Sequence, residues 1–229
     1  AIAAITNIAD NHLDWHGSVD HYIHSKETIF RYQQDGDVLL RGEAMPNTPL
    51  DLAVPGAHNQ RNAALALAIA QKVTGTEPTA LAKTLQFFPG LPHRLCAIDS
   101  GPNPRFFNDS KSTTPEATVL AVESFKCPER IHLIAGGYDK GVSLAAIASL
   151  APTLAGCYLI GQTASSLAAQ IPTDSEDCGT LEQAVQTALG RMQTNDILLL
   201  SPGCASWDQF SDYRERGERF SDLVRHLTI

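Results

Sequence analysis

Residues 131–171 read IHLIAGGYDKGVSLAAIASLAPTLAGCYLIGQTASSLAAQI. A short apolar run (IHLIAGG) leads into an Ala/Leu-rich stretch (VSLAAIASLA), and the same succession follows in GCYLIG and TASSLAAQI. Strands that alternate with helices build βαβ units around a parallel sheet. The rhythm extends back to RFFND (105–109) with TPEATVLAVESF (114–125). It extends forward to DILLLSPG (196–203) and a terminal helix to Leu227. The second part of the chain is therefore α/β with a mostly parallel sheet.

The first part is built differently. Residues Ala1 to Asn7 read as the end of a buried strand, broken at the polar loop NIADNHLDWHG (7–17). Ser18 can cap a helix through about Tyr32, with Tyr22, Ile23, Ile29 and Phe30 on its apolar side. DVLLR (37–41) fits a second strand, and GAHNQRNAALALAIAQKVTG (56–75) fits a helix closed by Gly75. A further helix fits Glu77 to Phe87, stopped by Pro89-Gly90, and the boundary between the parts is expected near Gly90 to His93. Two strand pieces cannot close a sheet alone. The chain also opens at Ala1 within an apolar run and without Met. Both features lead to the expectation that these residues are a piece of a larger protein.

Composition narrows the function. With 229 residues, 43% hydrophobic and 18% charged, the chain is globular, not disordered or fibrous. Lys plus Arg number 17 against 25 Asp plus Glu, a net charge of −8. That balance argues against nucleic acid as the main partner, because neutralising phosphates needs clustered cations. No run approaches the roughly 18–20 apolar residues of a membrane helix, and the opening AIAAITNIADNHLD does not read as a signal peptide. The five cysteines, Cys96, Cys127, Cys157, Cys178 and Cys204, are scattered and form no C-x-x-C pair. They read as reduced cytosolic thiols, neither a disulfide frame nor a zinc site.

In parallel α/β sheets, ligands collect at the carboxyl ends of strands. Several loops are unusually polar for such positions. NIADNHLDWHG offers His12, Asp14 and His16 as metal or phosphate contacts, or is a solvated turn; Lys26 on the next helix reads by itself as a surface charge. In GAHNQRN, Asn59 and Asn62 share a helix face and could meet a base edge, although spacing alone favours helix capping. GLPHR offers the fork of Arg94 to a phosphate or carboxylate, or to an ion pair between domains. NDSKSTTPEAT (108–118) sets Asp109, Lys111 and four hydroxyls before a helix with Pro115 near its start, where backbone N–H groups favour anions. Capping accounts for one of those hydroxyls. IAGGYDKG lacks the spacing of a dinucleotide fingerprint, and LSPGCASWDQF lacks a G-x-S-x-G elbow. Trp207 and Phe210 are by default core aromatics. The loops alone describe a two-part α/β protein that binds an anionic ligand.

In their order, NIADNHLDWHG, GAHNQRN, GLPHR, NDSKSTTPEAT, IAGGYDKG and LSPGCASWDQFSDYRERGERF resemble the Mur ligases over nearly the whole chain. GxHNxxN is shared across that superfamily, folylpolyglutamate synthetases included. NDSK-x-T and LSP-x-CAS-x-DQF resemble more narrowly the D-glutamate-adding, MurD-type members. Asn11 before His12, Trp15 where Arg is common, and Thr114 where Asn is usual depart from the family pattern. The family's G-x-x-G-x-x-G-K-T loop and uridine-binding domain are expected upstream of Ala1.

The resemblance implies a partial P-loop-type ATPase domain (1–91) followed by a Rossmann-like domain of about six strands (92–229). It implies a bacterial cytoplasmic ligase, monomeric when complete, that takes ATP, Mg2+, UDP-N-acetylmuramoyl-L-alanine and D-glutamate. ATP phosphorylates the muramoyl-alanine carboxylate, the amine of D-glutamate attacks, and phosphate leaves. Catalysis is then mainly positioning and charge neutralisation. By the same resemblance His12 is a magnesium ligand, and Lys26, if carbamylated, is a second. Asn59 and Asn62 face adenine. Arg94 and Asp109 hold the nucleotide's phosphate and ribose. Lys111, Thr113, Lys140, Ser206, Trp207 and Tyr213 surround D-glutamate, and two lysines suit a substrate with two carboxylates. Other readings are a folylpolyglutamate-synthetase-like glutamate ligase, a non-catalytic binding module, and a NAD-binding domain weakened by the missing glycine fingerprint.

Overall fold

A computed structural model describes residues 1–8, 13–46, 49–98, 105–173 and 175–227. They form two compact units, one of residues 1–53 and 57–88, the other of 54–56 and 89–229.

In the first unit, β1 (Ile2–Ile5) pairs in parallel with β2 (Val38–Arg41), Ile2 opposite Val38 and Ile5 opposite Arg41. Between them come the single turn α1 (Leu13–His16) and α2 (Val19–Glu27). Ser18 caps α2 as its sequence suggests: its side chain accepts from the His21 N–H. The helix is shorter than expected, because Thr28–Phe30 tightens into a 3-10 turn, and Ile29 is 59% exposed instead of lying on the apolar side. Tyr22 is the buried residue of α2. Two further helices follow, α3 (Ala57–Thr74) and α4 (Pro78–Leu85). Gly75 closes α3 at φ 69°, a left-handed conformation that glycine adopts at no steric cost.

The second unit is a three-layer α/β sandwich. Its strands are β3 (Cys96–Ala97), β4 (Phe106–Asn108), β5 (Ile131–Gly136), β6 (Gly156–Ile160), β7 (Glu176–Gly179) and β8 (Ile197–Leu200). They lie in the order β3-β4-β8-β5-β6-β7; only β3 runs antiparallel to its neighbour. The expected six-stranded, mostly parallel sheet is present. Successive side chains point to opposite faces while both faces are covered, so the central strands feed two cores. Phe107, Leu133, Ala135, Leu159 and Leu199 pack on one face with α5 (Pro115–Glu123), α6 (Ala145–Leu150) and α7 (Ala164–Ala168). Phe106, Ile134, Tyr158, Ile160, Leu198 and Leu200 pack on the other with α8 (Leu181–Arg191) and α9 (Tyr213–Leu227).

This division follows from the handedness of parallel crossovers. The chain moves one way across the sheet through β5, β6 and β7, with its helices on one face. It reverses to reach β8, and α8 falls on the other face. The β8 strand thus sits between β4 and β5, whose following helices lie on the face opposite α9. Strand neighbours that send their helices to opposite faces open a crevice at their carboxyl ends.

Candidate functional site

Around β8 the loops that follow β4, β8 and β5 are joined by backbone hydrogen bonds. The Gly203 N–H donates to Ser112 O at 3.0 Å, Gly136 N–H to Pro202 O at 2.8 Å, and Tyr138 N–H to Ala205 O at 2.9 Å. Gly137, at φ 145°, allows the last approach: a Cβ there would stand 2.3 Å from the Ala205 oxygen. NDSKSTT, IAGGYDKG and LSPGCASWDQF, remote in sequence, therefore form one surface at the carboxyl end of the sheet.

Asp109 anchors that surface from below. It is 6% exposed; one carboxylate oxygen accepts from Leu95 N–H at 3.0 Å, the other from Ser112 Oγ at 2.6 Å and Ser201 Oγ at 2.8 Å. Burial pushes its carboxyl up to about 6, against the opposing pull of those three donors and the Arg94 charge. Its two oxygens are thus engaged inside the fold, holding both the β8 loop and the segment that carries Arg94. That segment needs holding: His93 and Leu95 sit at φ 62° and 47°, left-handed values that side chains rarely adopt. Lys111 N–H donates to His93 O at 3.0 Å and secures the other end. Arg94 itself is exposed between them.

Ser110 and Ser112 of NDSKSTT serve the loop, not the helix end. Thr114 precedes α5 without a side-chain capping bond. Ser112 binds Asp109, and Ser110 Oγ donates to Tyr213 O at 2.8 Å. The single hydroxyl assigned to capping is corrected accordingly. A similar correction applies to α3. It begins at Ala57, so Asn59 and Asn62 lie inside its first turns and neither occupies the cap position. Asn59 is half-buried and Asn62 exposed, on one helix face.

Two lysines stand at this surface, each over an aromatic ring. Lys111 Nζ lies 4.0 Å from the Tyr213 ring centre and Lys140 Nζ 5.2 Å from that of Trp207. Trp207 also meets Tyr138, ring centres 5.5 Å apart. It is 62% exposed, which overturns its default placement in the core, whereas Phe210 does pack against the α8–α9 side. Ser206 is buried beside Trp207, and Thr113 is half-buried between Ser112 and Thr114. The fold thus brings Asp109, Lys111, Thr113, Lys140, Ser206, Trp207 and Tyr213 onto neighbouring loops of one unit.

In the first unit, a small cavity of about 160 Å³ opens where β1 and β2 end, lined by Ile5, Thr6, Ile23, Glu27, Arg41 and Glu43 among others. Arg41 pairs with Glu27 at 3.1 Å. Lys26 is exposed in the last turn of α2 with Nζ 5.3 Å from the Tyr22 ring centre, and it does not line that cavity. His12 lies outside the described residues. No group of three or more His, Cys, Asp or Glu able to hold a metal occurs among the described residues, which do not by themselves assemble a magnesium site. The cysteines are all free, as their spacing suggests, and burial raises the Cys157 thiol to about 12 and shifts Cys204 upward too. Neither is a thiolate nucleophile at neutral pH.

Several residues that shape this surface were not singled out by sequence reasoning: Ser201, Asp208 and above all Arg216. Asp208 accepts from the Gln162 N–H at 2.8 Å, tying the β6 loop to the β8 loop.

The sequence matches the Mur ligase middle domain over residues 1–47 and the Mur ligase glutamate ligase domain over residues 93–204. The chain belongs to the Mur ligases. Among curated relatives it is 33% identical to the UDP-N-acetylmuramoylalanine–D-glutamate ligase of Latilactobacillus sakei, across 99% of this chain and 59% of that protein. It is 35% identical to the Sphingopyxis alaskensis protein of the same name, across 99% of this chain and 58% of the relative. The chain thus spans about three-fifths of the length of these Mur ligases. Solved structures agree on the fold. MurF from Acinetobacter baumannii superposes with a TM-score of 0.71 at 20% identity, over 98% of this chain and 60% of that one. Escherichia coli FolC, solved with ADP, gives 0.69 at 20% identity, over 100% of this chain and 63% of that one. No described helix is long and apolar enough to cross a membrane.

Proposed function

We propose that the protein containing these residues is an ATP-dependent, ADP-forming ligase that joins D-glutamate to UDP-N-acetylmuramoyl-L-alanine in bacterial peptidoglycan synthesis. The observation that carries this reading is the pair of ring-backed lysines, Lys111 and Lys140, on adjoining loops at the carboxyl end of the second unit's sheet. A cationic pair on fixed loops fits a small dicarboxylate, each ammonium taking one carboxylate. Thr113, Ser206 and Tyr213 supply hydroxyls beside it, and Trp207 supplies an exposed wall. The names of the curated relatives support D-glutamate as that dicarboxylate.

ATP and Mg2+ are the cofactors of this proposal. Bound ATP would supply the phosphoryl group that turns a poor leaving oxygen into a good one. Within this chain, Asn59 and Asn62 present carboxamides suited to an adenine edge, and Arg94 presents a fork suited to phosphate. Asp109 serves the nucleotide side by fixing the segment that carries Arg94. Lys111 and Lys140 orient the amino acid so that its amine faces the activated carbonyl, and effective molarity then does much of the catalysis. His12 and Lys26, the latter as a carbamate, are the proposed magnesium ligands of the complete enzyme. A cytoplasmic monomer fits such substrates.

The test is ADP release by the full-length protein supplied with ATP, Mg2+ and UDP-N-acetylmuramoyl-L-alanine. Release is expected on adding D-glutamate and not L-glutamate. Release that requires a folate and L-glutamate instead would move the protein to the folylpolyglutamate synthetase reading.

A further inference from the structure

Arg216 is the largest fully buried side chain among the described residues, 1% exposed in the first turn of α9. Among the described residues no carboxylate bonds it. Its guanidinium binds neutral oxygens: Nε donates to Ser110 Oγ at 3.0 Å, Nη2 to Ser110 O at 2.9 Å and to Cys204 O at 3.1 Å, and Nη1 to Ala205 O at 3.1 Å. A buried cation is costly, and burial lowers its ordinary value to about 10. A cation kept on such terms points to a geometric task.

The bonds show what that task is. Ser110 precedes Lys111 in the β4 loop, and Ala205 precedes Ser206 and Trp207 in the β8 loop. One nitrogen, Nη2, donates to both Ser110 O and Cys204 O, so a single planar group fixes the spacing of the two loops. The Ala205 oxygen also accepts from Tyr138 N–H, which draws in the β5 loop that carries Lys140. The Ser110 hydroxyl passes the contact on to Tyr213 O. Every loop bearing a group of the proposed dicarboxylate pocket meets at this guanidinium directly or through one bond.

We propose that Arg216 is a positioning residue for that pocket, a clamp that sets the distance between the Lys111 loop and the Ser206–Trp207 loop. The inference rests on the D-glutamate reading for its substrate and on geometry alone for the clamp. It touches no substrate itself. Lysine at 216 would keep the charge but lose the planar fork that bridges two carbonyls.

The test compares full-length wild type, Arg216→Lys and Ser110→Ala by steady-state kinetics and by amide hydrogen exchange. In Arg216→Lys, KM for D-glutamate should rise about tenfold or more while KM for ATP stays within about twofold. Exchange should quicken in peptides covering 105–115 and 201–213 and stay unchanged in 156–170. Ser110→Ala should change both in the same direction by less, and it carries the test if Arg216→Lys does not fold. Unchanged loop exchange overturns the clamp. Faster loop exchange with an unaltered KM for D-glutamate overturns the positioning role and leaves a merely structural arginine. If the wild type shows no D-glutamate-dependent ADP release, the functional reading fails separately, and the exchange data still decide the clamp.

Discussion

The two units bury their strands to very different depths. In the second, Ile131, Leu133, Ile134, Leu159 and Leu198 to Leu200 are wholly buried, and their central strands are covered on both faces by helices. In the first, two four-residue strands pair only with each other among the described residues; Ala3 is buried, while Ile2 and Leu39 are each 38% exposed. Trp15, Ile29, Val73 and Phe87 add further exposed apolar surface there. A two-stranded sheet removes too little apolar area to offset the entropy of ordering its chain. The strands of the second unit therefore bury much more apolar surface than those of the first.

The largest consequence concerns local opening. Amides of β5 and β8 should exchange at least about a thousandfold more slowly than those of β1 and β2, a gap of roughly 4 kcal/mol. Equal protection, measured by hydrogen exchange on the 229-residue chain, would erase the contrast. Core truncation should show it next. Leu133→Ala, in a fully buried strand, should cost about 2–5 kcal/mol in denaturant unfolding, and Leu39→Ala under about 1 kcal/mol.

Inside the second unit, Asp109 makes stability depend on pH. Its folded value near 6 lies above the ordinary carboxyl value of 3.8, so the folded state holds the proton more tightly. Its contribution to stability therefore falls as pH rises from about 4 to 6 and is flat above. A rise of that size corresponds to roughly 3 kcal/mol. Relative to Asp109→Asn, wild type should lose up to that amount across this window. A constant difference between the two unfolding curves would show that the carboxyl is not perturbed. The smallest effect belongs to the ring under Lys111. Tyr213→Leu removes a cation–π contact of about 0.5–1 kcal/mol, so KM for D-glutamate in the full-length enzyme should rise about two- to fivefold. No rise would show that the ring does not orient the lysine.

Legibility in the sequence followed the same divide. Strands β5, β6 and β8 announce themselves as continuous apolar runs because they are buried on both faces. The β7 strand, EDCG, does not: it is polar, lies at the sheet edge and is only partly covered. The two-residue β3 is too short to show a period. Loop motifs revealed which residues gather at the strand ends, but not which of them are engaged inside the fold. Nothing local distinguishes Asp109, whose oxygens are all bonded internally, from a carboxylate open to a ligand. Trp207 looks like core by residue type and is exposed because its loop turns outward at the strand ends. Arg216 hides in the polar run RERGERF. A signal exists, since Arg216, Phe220 and Val224 fall four residues apart on the buried stripe of α9, and an arginine on such a stripe must be bonded inside.

The proposed dicarboxylate pocket in the loops around β8 rests on Lys111 and Lys140. The most direct measurement is the kinetics of Lys111→Ala and Lys140→Ala in the full-length enzyme, with D-glutamate and ATP varied separately. Losing a charge-assisted hydrogen bond costs about 1.5–3 kcal/mol, so each variant should raise KM for D-glutamate about 10- to 100-fold and leave KM for ATP nearly unchanged. Wild-type D-glutamate kinetics in both variants would show that these lysines do not hold the substrate.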